Sequence, residues 1–306
     1  MIYLEMRGRT GNQLFEYGFL KKIQSFSNDK SLTINFRKAY SHKYENDLIQ
    51  FNISDYIDDK DGKLFKKSFS FFQKLLFFYM KVRTHLFRNT EKGKLKRYNW
   101  QCNKAPFLIK HGIVFLSIGF FNFPLDNLPL KNILVYGNFE DKRFLLDGIQ
   151  DKYRIKPKEE LLRSSIIKKI QSPNSVCVSI RCGDFLSKKN SAYNVCGETY
   201  FKSAFKAMEK INPSSFFIVF SDDTKLCKIH MKDWKFNIVF ENDGNTIPEK
   251  LFLMSSCNNF IISNSTFSWW AQFLSLKKSK LVLSPSIWNK NFPNSPLLES
   301  DFLKIK

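Results

Sequence analysis

The sequence predicts an α/β fold in which short parallel strands alternate with helices, divided into two domains. In the C-terminal half, short apolar runs recur, and each stops at polar residues before a helical pattern begins. The N-terminal residues show the same order of strand, turn and helix. With 306 residues, the chain is long for a single hydrophobic core and comfortable for two domains of ordinary size.

The first strand, turn and helix are predicted at the N-terminus. Residues 2–6 read as a strand, residues 7–12 as a glycine-containing turn, and Gln13 as the beginning of a helix. A turn at a helix start offers backbone N–H groups to an anion, and Arg9 and Asn12 add side-chain donors. The alternative is a structural turn whose arginines are only solvated.

A basic and aromatic segment follows between residues 60 and 100. Its lysines and arginines far outnumber its acids, and Phe, Tyr, Leu and Val residues lie between them. The pattern is typical of a helix with a broad apolar face and cationic edges, which could bind an anionic membrane interface. The alternative is a helix that buries this face in the protein's own core and leaves a solvated lysine edge.

The boundary between the domains is predicted near residue 155. Residues 133–136 form a short predicted strand, and residues 144–146 are expected to begin a helix. Residues 156–160 then resemble a helix start after a connection, because proline and acidic residues both favour the first turn. We therefore expect domains of residues 1–155, with the basic aromatic segment as an insertion, and 156–306.

The second domain shows the most regular pattern. Strands are predicted at residues 176–180, 216–220, 237–240, 260–262 and 281–283, and helices at residues 199–210, 249–255 and 269–276. Polar residues follow each strand, so we expect a Rossmann-like domain with its site along the carboxyl edge of the sheet.

Arg181 is the first candidate site residue, because it follows the apolar strand of residues 176–180 directly. A planar, permanently charged guanidinium suits two phosphate oxygens. Asp184 could hold Arg181 in place or accept a proton. The alternative is a structural ion pair at the end of a strand.

Residues 263–268 form a second polar stretch, at a predicted helix start. Capping accounts for one of its four hydroxyls, so the others and the backbone N–H groups could hold a phosphate. Trp269 and Trp270 are expected in the core. Asp222 and Asp223 follow another strand, where capping of the next helix is favoured over a metal site.

Composition narrows the classes of partner. A formal charge of +21 predicts an anionic partner, such as a nucleic acid, an acidic membrane surface or a phosphorylated substrate. The six cysteines include no CxxC pair, which favours reduced thiols in a cytoplasmic protein over a zinc site or a disulfide framework. The sequence contains no signal-peptide core and no apolar run of spanning length.

Taken in order, these motifs resemble family 11 glycosyltransferases, the α-1,2-fucosyltransferases. Residues 8–17 resemble the family's Gly-Arg-x-Gly-Asn-Gln signature, and residues 136–144 look like a looser form of its mid-chain segment. Residues 179–185 are similar to its His-x-Arg-Arg-Gly-Asp-Tyr motif. Residues 220–223, and residues 251–255 followed by 263–270, match the remaining two, so the resemblance spans nearly the whole chain.

The resemblance implies a GT-B-like fold with two Rossmann-like domains facing a central cleft. It implies transfer of L-fucose from GDP-fucose to the 2-hydroxyl of a terminal galactose, with inversion and without a metal or other cofactor. The acceptor is expected to be a surface polysaccharide or O-antigen repeat. Such a repeat can be lipid-linked, so the enzyme could lie on the inner face of the plasma membrane. Residues 1–155 would form the acceptor-side domain, and residues 156–306 the GDP-fucose-binding domain.

The resemblance also assigns site residues. Arg181 would neutralise the diphosphate leaving group, Asn242 or Glu249 would read guanine, and Asp184 would be the general base. The residues expected at the donor are Arg9, Asn12, Arg181, Ser221, Asp222, Asn242, Glu249, Asn264, Ser265, Thr266, Phe267 and Ser268.

The chain departs from the family pattern at three positions. Ser179 stands where the family has His, Cys182 where it has a second Arg, and Lys250 where an acid is common. These departures motivate an alternative, an inactive relative that binds a glycan or a nucleotide sugar. The charge motivates another, a nucleic-acid-binding protein, although we expect no nucleic acid as a partner of the enzyme.

Overall fold

The computed structural model describes residues 1–26, 31–125, 128–129, 132–181, 192–241, 244–292 and 294–306. The chain divides into two compact units, Met1–Ile149 and Gln150–Lys306. This division lies a few residues before the boundary that we placed after residue 155. Each unit has its own parallel β-sheet, so the predicted α/β class with two Rossmann-like domains is confirmed.

The described part of the N-terminal unit contains a five-stranded sheet in the order β3-β2-β1-β5-β4. Its strands are β1 (Ile2–Glu5), β2 (Leu32–Asn35), β3 (Ile57–Asp58), β4 (Ile113–Leu116) and β5 (Ile133–Gly137). The first strand lies at the centre, since Leu4 pairs in parallel with Ile34 on one side and Val135 on the other. Strands β2, β4 and β5 are entirely buried, as expected for a parallel sheet covered on both faces.

The helices of this unit connect its strands. They are α1 (Thr10–Ser25), α2 (Arg37–Ser41), α3 (Lys63–Ser68), α4 (Phe71–His85) and α5 (Glu91–Lys110), with 3₁₀ helices at Asp47–Phe51 and Lys142–Phe144. Helix α6 (Ile149–Tyr153) lies at the junction of the units.

The predicted helix start at residues 144–146 is wrong. The Asp141 carboxylate accepts hydrogen bonds from the Arg143 backbone N–H, at 2.8 Å, and from the Arg143 Nε, at 2.9 Å. These bonds stabilise the 3₁₀ helix that ends at Phe144, and helix α6 begins only at Ile149. The hydrogen bonds of the Asp141 side chain to Arg143 therefore outweigh the helical pattern of apolar residues at 144–146.

The basic aromatic segment is not one helix but α3, α4 and the first part of α5. Helix α4 begins where it does because Ser70 and Gln73 form a capping box. Helix α5 begins after Thr90, whose hydroxyl accepts a hydrogen bond from the Gly93 N–H at 3.1 Å. Both caps interrupt the apolar periodicity that we had read as continuous.

The described part of the C-terminal unit contains a six-stranded sheet in the order β11-β10-β9-β6-β7-β8. Its strands are β6 (Ser175–Ile180), β7 (Phe216–Ser221), β8 (Ile238–Phe240), β9 (Asn259–Ile261), β10 (Val282–Pro285) and β11 (Leu303–Ile305). Its helices are α7 (Glu159–Arg163), α8 (Ser165–Ile170), α9 (Glu198–Ile211), α10 (Thr224–His230), α11 (Ile247–Ser256) and α12 (Thr266–Leu274). The predicted strands are confirmed to within a few residues.

Helix α12 begins at Thr266, earlier than the predicted Trp269. Trp269 and Trp270 are fully buried, which confirms their predicted place in the core. Trp270 packs edge-on against Tyr153 at 5.1 Å, so α12 is held by aromatic contacts as well as by its apolar face. In the described residues, no helix is both long and apolar enough to cross a membrane.

Candidate functional site

The strand order of the C-terminal unit marks a place for a ligand. Strands β7 and β8 lie on one side of β6, and β9, β10 and β11 lie on the other. In open parallel sheets, ligands bind outside the carboxyl ends of the strands where this order reverses. The crevice between the carboxyl ends of β6 and β9 is therefore the candidate site of this unit.

Two of the predicted elements lie at this crevice. Arg181 follows the last residue of β6 directly and is half-buried. On the neighbouring strand, the polar residues 263–265 follow β9 and lead into α12. Since Val178 pairs with Ile261 in parallel register, the ends of both strands lie at the same edge of the sheet.

Three serine hydroxyls connect β6 to the start of α12. The Ser179 and Ser268 Oγ atoms lie 2.6 Å apart, and those of Ser263 and Ser268 lie 2.9 Å apart. All three residues are buried. Ser179, which stands where the family has His, thus fixes the first turn of α12 against the strand that precedes Arg181.

The N-terminus of α12 suits an anion. The first turn of a helix presents backbone N–H groups that lack intrahelical acceptors, and the helix dipole makes this end positive. Ser265 is the N-cap residue, Thr266 is buried, and Phe267 is half-buried. Arg181, at the end of β6, and the helix N-terminus that follows the adjacent strand β9 can together bind a diphosphate.

The Asn264 side chain binds the protein's own loops. Its Nδ2 donates to the Tyr193 carbonyl at 2.8 Å and to the Trp288 carbonyl at 2.9 Å. Asn264 is also buried, so these bonds contribute to the shape of the crevice.

The end of β7 confirms the predicted cap. The Asp223 carboxylate accepts a hydrogen bond from the Leu226 N–H at 2.9 Å and caps α10, while Asp222 is exposed. Ser221 is buried, and its Oγ accepts a hydrogen bond from the Asp223 N–H at 3.0 Å. Among the described residues, no three His, Cys, Asp or Glu side chains form a group that could hold a metal ion.

Lys250, the third departure from the family pattern, joins the ends of β7 and β8. Its Nζ lies 3.2 Å from Oε2 of Glu241, whose side chain is fully buried. The same Nζ donates to the Ser221 carbonyl at 3.3 Å, and Asn245 Nδ2 donates to Glu241 Oε1 at 2.7 Å. The lysine therefore neutralises a buried glutamate beside the candidate site.

Glu249, a predicted guanine contact, takes part in the capping box of α11. Its Oε2 accepts hydrogen bonds from the Thr246 N–H, at 2.9 Å, and the Thr246 hydroxyl, at 2.7 Å. The bonds from Thr246 lower the pKa of Glu249. Guanine would have to compete with this cap for the carboxylate. The predicted contacts Asn242 and Asp184 lie outside the described residues, as does Cys182.

The sheet of the N-terminal unit also reverses its order, between β1 and β5. Arg7 follows β1 closely, and its guanidinium lies over the Tyr136 ring of β5, 4.7 Å from the centroid. The Arg7 backbone N–H donates to Oε2 of Glu16 at 2.8 Å, and Glu16 is fully buried. Charged groups are therefore concentrated at this crevice.

Glu140, which follows β5, has an unusual proton affinity. Burial raises its pKa to about 7, against the opposing effects of a hydrogen bond from Asn138 and the charge of Arg7. Burial also raises the pKa of Glu16, and the charge of Glu140 raises it further. Glu140 was not among the residues predicted from the sequence, although its position just after a predicted strand was a usable signal.

A strained backbone turn holds Glu140 in place. Phe139 has a φ of +52°, which is costly for a bulky side chain. Its ring stacks on Phe19 with centroids 3.8 Å apart, and the Asp141 N–H donates to the Phe139 carbonyl at 2.8 Å. The packing and the hydrogen bond offset the strain and fix the turn. Such strain often occurs at functional sites.

The turn before α1 bends at Gly8, but it is shorter than predicted, because α1 begins at Thr10 and not at Gln13. Gly8 has a φ of +68°, and a Cβ at this position would meet the Asn12 Cβ at 2.9 Å. Thr10 Oγ1 donates to Asp47 at 2.6 Å, which ties the turn to the core of the unit. Arg9 is exposed, with its guanidinium 5.4 Å from the centroid of the Tyr44 ring.

The chain matches the family model described as glycosyl transferase family 11 over residues 1–304. It belongs to glycosyltransferase family 11. Glycosyltransferases transfer a sugar from a donor to an acceptor molecule. The crevice between β6 and β9 and the crevice between β1 and β5 are therefore candidate substrate sites.

Among its relatives is the O-antigen biosynthesis glycosyltransferase WbnK of Escherichia coli, 29% identical over 145 residues, which are 46% of this chain and 48% of WbnK. An alpha-1,2-colitosyltransferase of Escherichia coli is 32% identical over 127 residues, 39% of this chain and 42% of the relative. Galactoside alpha-(1,2)-fucosyltransferase 1 of Bos taurus is 29% identical over 134 residues, 42% of this chain and 34% of the relative. The chain thus aligns with less than half of each of these relatives.

Two solved structures are similar in outline. NodZ alpha-1,6-fucosyltransferase, soaked with GDP-fucose, gives a TM-score of 0.45 at 12% identity, with 90% of this chain and 92% of that one covered. Escherichia coli ADP-heptose LPS heptosyltransferase II gives a TM-score of 0.47 at 11% identity, with 98% and 88% covered.

Proposed function

We propose that this chain is an inverting α-1,2-fucosyltransferase. It transfers L-fucose from GDP-fucose to the 2-hydroxyl of a terminal galactose in a surface polysaccharide or O-antigen repeat. The observation behind this proposal is Arg181 beside the hydroxyl-rich start of α12, at the β6–β9 crevice of a family 11 chain. The names of relatives, an O-antigen glycosyltransferase and an α-1,2-fucosyltransferase, support the choice of substrates.

The proposed donor site stabilises the leaving group. As the bond between fucose C1 and the phosphate oxygen breaks, the diphosphate takes the electron pair and gains negative charge. The Arg181 guanidinium can bind two of its oxygens, and the α12 N-terminus, with Ser265 and Thr266, can bind the rest. Positive groups of this kind can stabilise the negative charge of the leaving diphosphate as a divalent cation would. We therefore propose that no metal or other cofactor is required.

The nucleoside is proposed to extend toward the ends of β7 and β8. Ser221, Asp222, Asn242 and Glu249 are the proposed contacts there. Because Lys250 is paired with the buried Glu241, it shapes this edge without adding an unpaired charge. Other proposed contributors to the donor site are Arg9, Asn12, Asn264, Phe267 and Ser268.

The transfer also needs a base. The acceptor 2-oxygen attacks C1 from the face opposite the phosphate, and its proton must go to a protein group. We propose Glu140 for this role, with the acceptor bound by the N-terminal unit, because Glu140 follows the carboxyl end of β5 at the crevice of that unit. With a pKa of about 7, its carboxylate is a better base than an ordinary one and is half ionised at neutral pH. Asp184 of the arginine motif remains the other candidate.

The test is GDP release from GDP-fucose with a β-galactoside acceptor, in the presence of EDTA and with GDP-mannose as control. Acceptor-dependent release from GDP-fucose alone is the expected result. Arg181→Ala should lower the rate about 100-fold or more, and Arg181→Lys should restore only part of it. The matched control is Arg163→Ala, whose guanidinium makes an exposed ion pair with Glu159 on α7. An Arg181→Ala variant with wild-type rates would refute the proposed role.

A second candidate donor is a GDP-activated colitose, because one relative is an α-1,2-colitosyltransferase. Colitose lacks the 3-hydroxyl of fucose, so a site that hydrogen-bonds this hydroxyl would discriminate strongly between the two sugars. Adding GDP-colitose to the donor panel decides between them. Tight binding of GDP-fucose without turnover on any galactoside would instead favour the inactive relative that Ser179 and Cys182 suggest. Salt-sensitive nucleic-acid binding without need of GDP would favour the remaining alternative.

A further inference from the structure

Helix α4 has apolar side chains on two opposite sides. Phe77, Met80 and Thr84 are buried, and the first two belong to the core of the N-terminal unit. The other side, which we call the outer face of α4, is exposed to solvent. It consists of Phe71, Phe72, Leu75, Phe78, Tyr79, Val82 and, just after the helix, Leu86.

The outer face forms one continuous stripe. Positions 71, 75, 78, 82 and 86 follow the spacing of three and four residues that keeps side chains on one side of a helix. Phe71 is 79% exposed, Phe78 65% and Leu86 65%, so the stripe is not covered by the core. A surface helix needs only one apolar side for its own fold, which leaves this second side without a structural purpose.

The apolar surface of the outer face continues from Phe72 onto the end of α5. The Phe72 ring lies 5.3 Å from the His111 ring, and His111 lies 4.4 Å from Phe107 near the end of α5. Phe107 is itself 48% exposed. The apolar surface is therefore broader than α4 alone.

Exposed cationic side chains lie on α4, on α5 and in the turn between them. Arg83, Arg88 and Lys104 are exposed, and Arg83 lies 6.0 Å from the centroid of the Trp100 ring. Lys81, on the inner side of α4, is instead paired with Glu5 at 2.7 Å. Between residues 60 and 111 the sequence offers few acids to balance these charges.

We propose that the outer face of α4 docks onto the surface of an anionic lipid bilayer. Large aromatic and aliphatic side chains would enter the boundary between headgroups and acyl chains, and the arginines and lysines would contact the anionic headgroups. The helix would lie in the plane of the interface. This inference rests on α4 and α5 alone and is independent of the proposed function.

Two other occupants fit less well. A second copy of this chain would bring another +21 charge against the same cationic surface. A nucleic acid would satisfy the cations, but it would leave Leu75, Val82 and Leu86 without apolar contacts. A bilayer satisfies both the cationic and the aliphatic groups.

The test is flotation of the full chain with vesicles of phosphatidylcholine, with or without phosphatidylglycerol. We expect binding that requires phosphatidylglycerol and weakens with salt. The triple variant Phe71→Ser/Leu75→Ser/Phe78→Ser should bind at least about tenfold more weakly, because it removes three of the seven side chains of the outer face. Its thermal unfolding should remain cooperative, because none of these residues is buried.

The control variant is Ile229→Ser/Leu276→Ser, two residues of the other unit that are 71% and 74% exposed. It should float like the wild type. Wild-type binding by the triple variant, or equal binding to neutral vesicles, would overturn the proposal. So would a dimer in light scattering that the triple variant abolishes, since the outer face would then be a contact between copies.

Discussion

The substitution Glu140→Gln tests the general base and the burial of its charge at once. The side chain keeps its shape and loses the ability to ionise. Because burial raises the pKa of Glu140 from 4.5 to about 7, ionising it costs more in the folded protein than in the unfolded chain. At about 1.4 kcal/mol for each tenfold change in proton affinity, this difference is about 3–4 kcal/mol.

The sign of the effect depends on pH. Well below pH 4.5, Glu140 is protonated in both states, and the substitution should leave the free energy of unfolding unchanged. As the pH rises toward 7, the unfolded chain releases the proton while the folded protein retains it, so wild-type stability falls. Above that range the variant should be more stable than the wild type by about 3–4 kcal/mol, measured by urea unfolding at about pH 4 and pH 8.

The same substitution should slow the transfer reaction and change its dependence on pH. The wild-type transfer rate should rise with pH and level off above an apparent pKa of about 7, as ionised Glu140 becomes available. In Glu140→Gln the rate should fall about 100-fold to 10,000-fold, and this rise with pH should disappear.

An exposed carboxylate provides the control. Glu91 begins α5 and is exposed, so Glu91→Gln should keep the wild-type transfer rate and its rise with pH. If Glu140→Gln keeps the wild-type rate and pH profile, Glu140 is not the base and Asp184→Asn becomes the next variant. If it gains no stability at high pH, the raised pKa is wrong.

Three further substitutions test the framework. Lys250→Met should lower the free energy of unfolding by about 3–5 kcal/mol in urea, because it leaves the buried Glu241 carboxylate without its cationic partner. Adding Glu241→Gln should restore most of this loss. An unchanged urea midpoint for the single variant would contradict the pairing. Gly8→Ala should lower stability by more than about 1 kcal/mol in the same assay, because a Cβ strains the left-handed turn and crowds Asn12, and a neutral result would mean that the turn adapts. Ser268→Ala should raise the KM for the donor while costing only about 1 kcal/mol in thermal unfolding, and an unaltered KM would show that its hydroxyl bonds do not order the site.

Most of the C-terminal unit could be predicted from the sequence, because buried parallel strands appear as apolar runs that end in polar residues. The strand before Arg181 and the core position of Trp269 follow directly from this pattern. The cap at Asp223 was also predictable, since an acid before a helical pattern has a specific local function. These features depend on local sequence.

Features that depend on competing local bonds were harder to predict. Residues 144–146 had a helical pattern, but the Asp141 carboxylate stabilised a 3₁₀ helix in its place. Glu249 was assigned to guanine although Thr246-x-x-Glu249 is a capping-box signature visible in the sequence. The raised pKa of Glu140 depends on burial beside Arg7, a residue distant in sequence, and no local pattern encodes it.

The position of β1 at the centre of its sheet has a consequence for biosynthesis. Among the described strands of this unit, β1 is made first and β5, one of its two neighbours in the sheet, is made last. Contacts between residues so distant in sequence form slowly, because the long intervening segment must lose conformational entropy before the contacts can stabilise the sheet. During translation, one edge of β1 therefore stays unpaired until residue 137 has been made. Molecular chaperones that bind exposed strands would bind β1 in this interval.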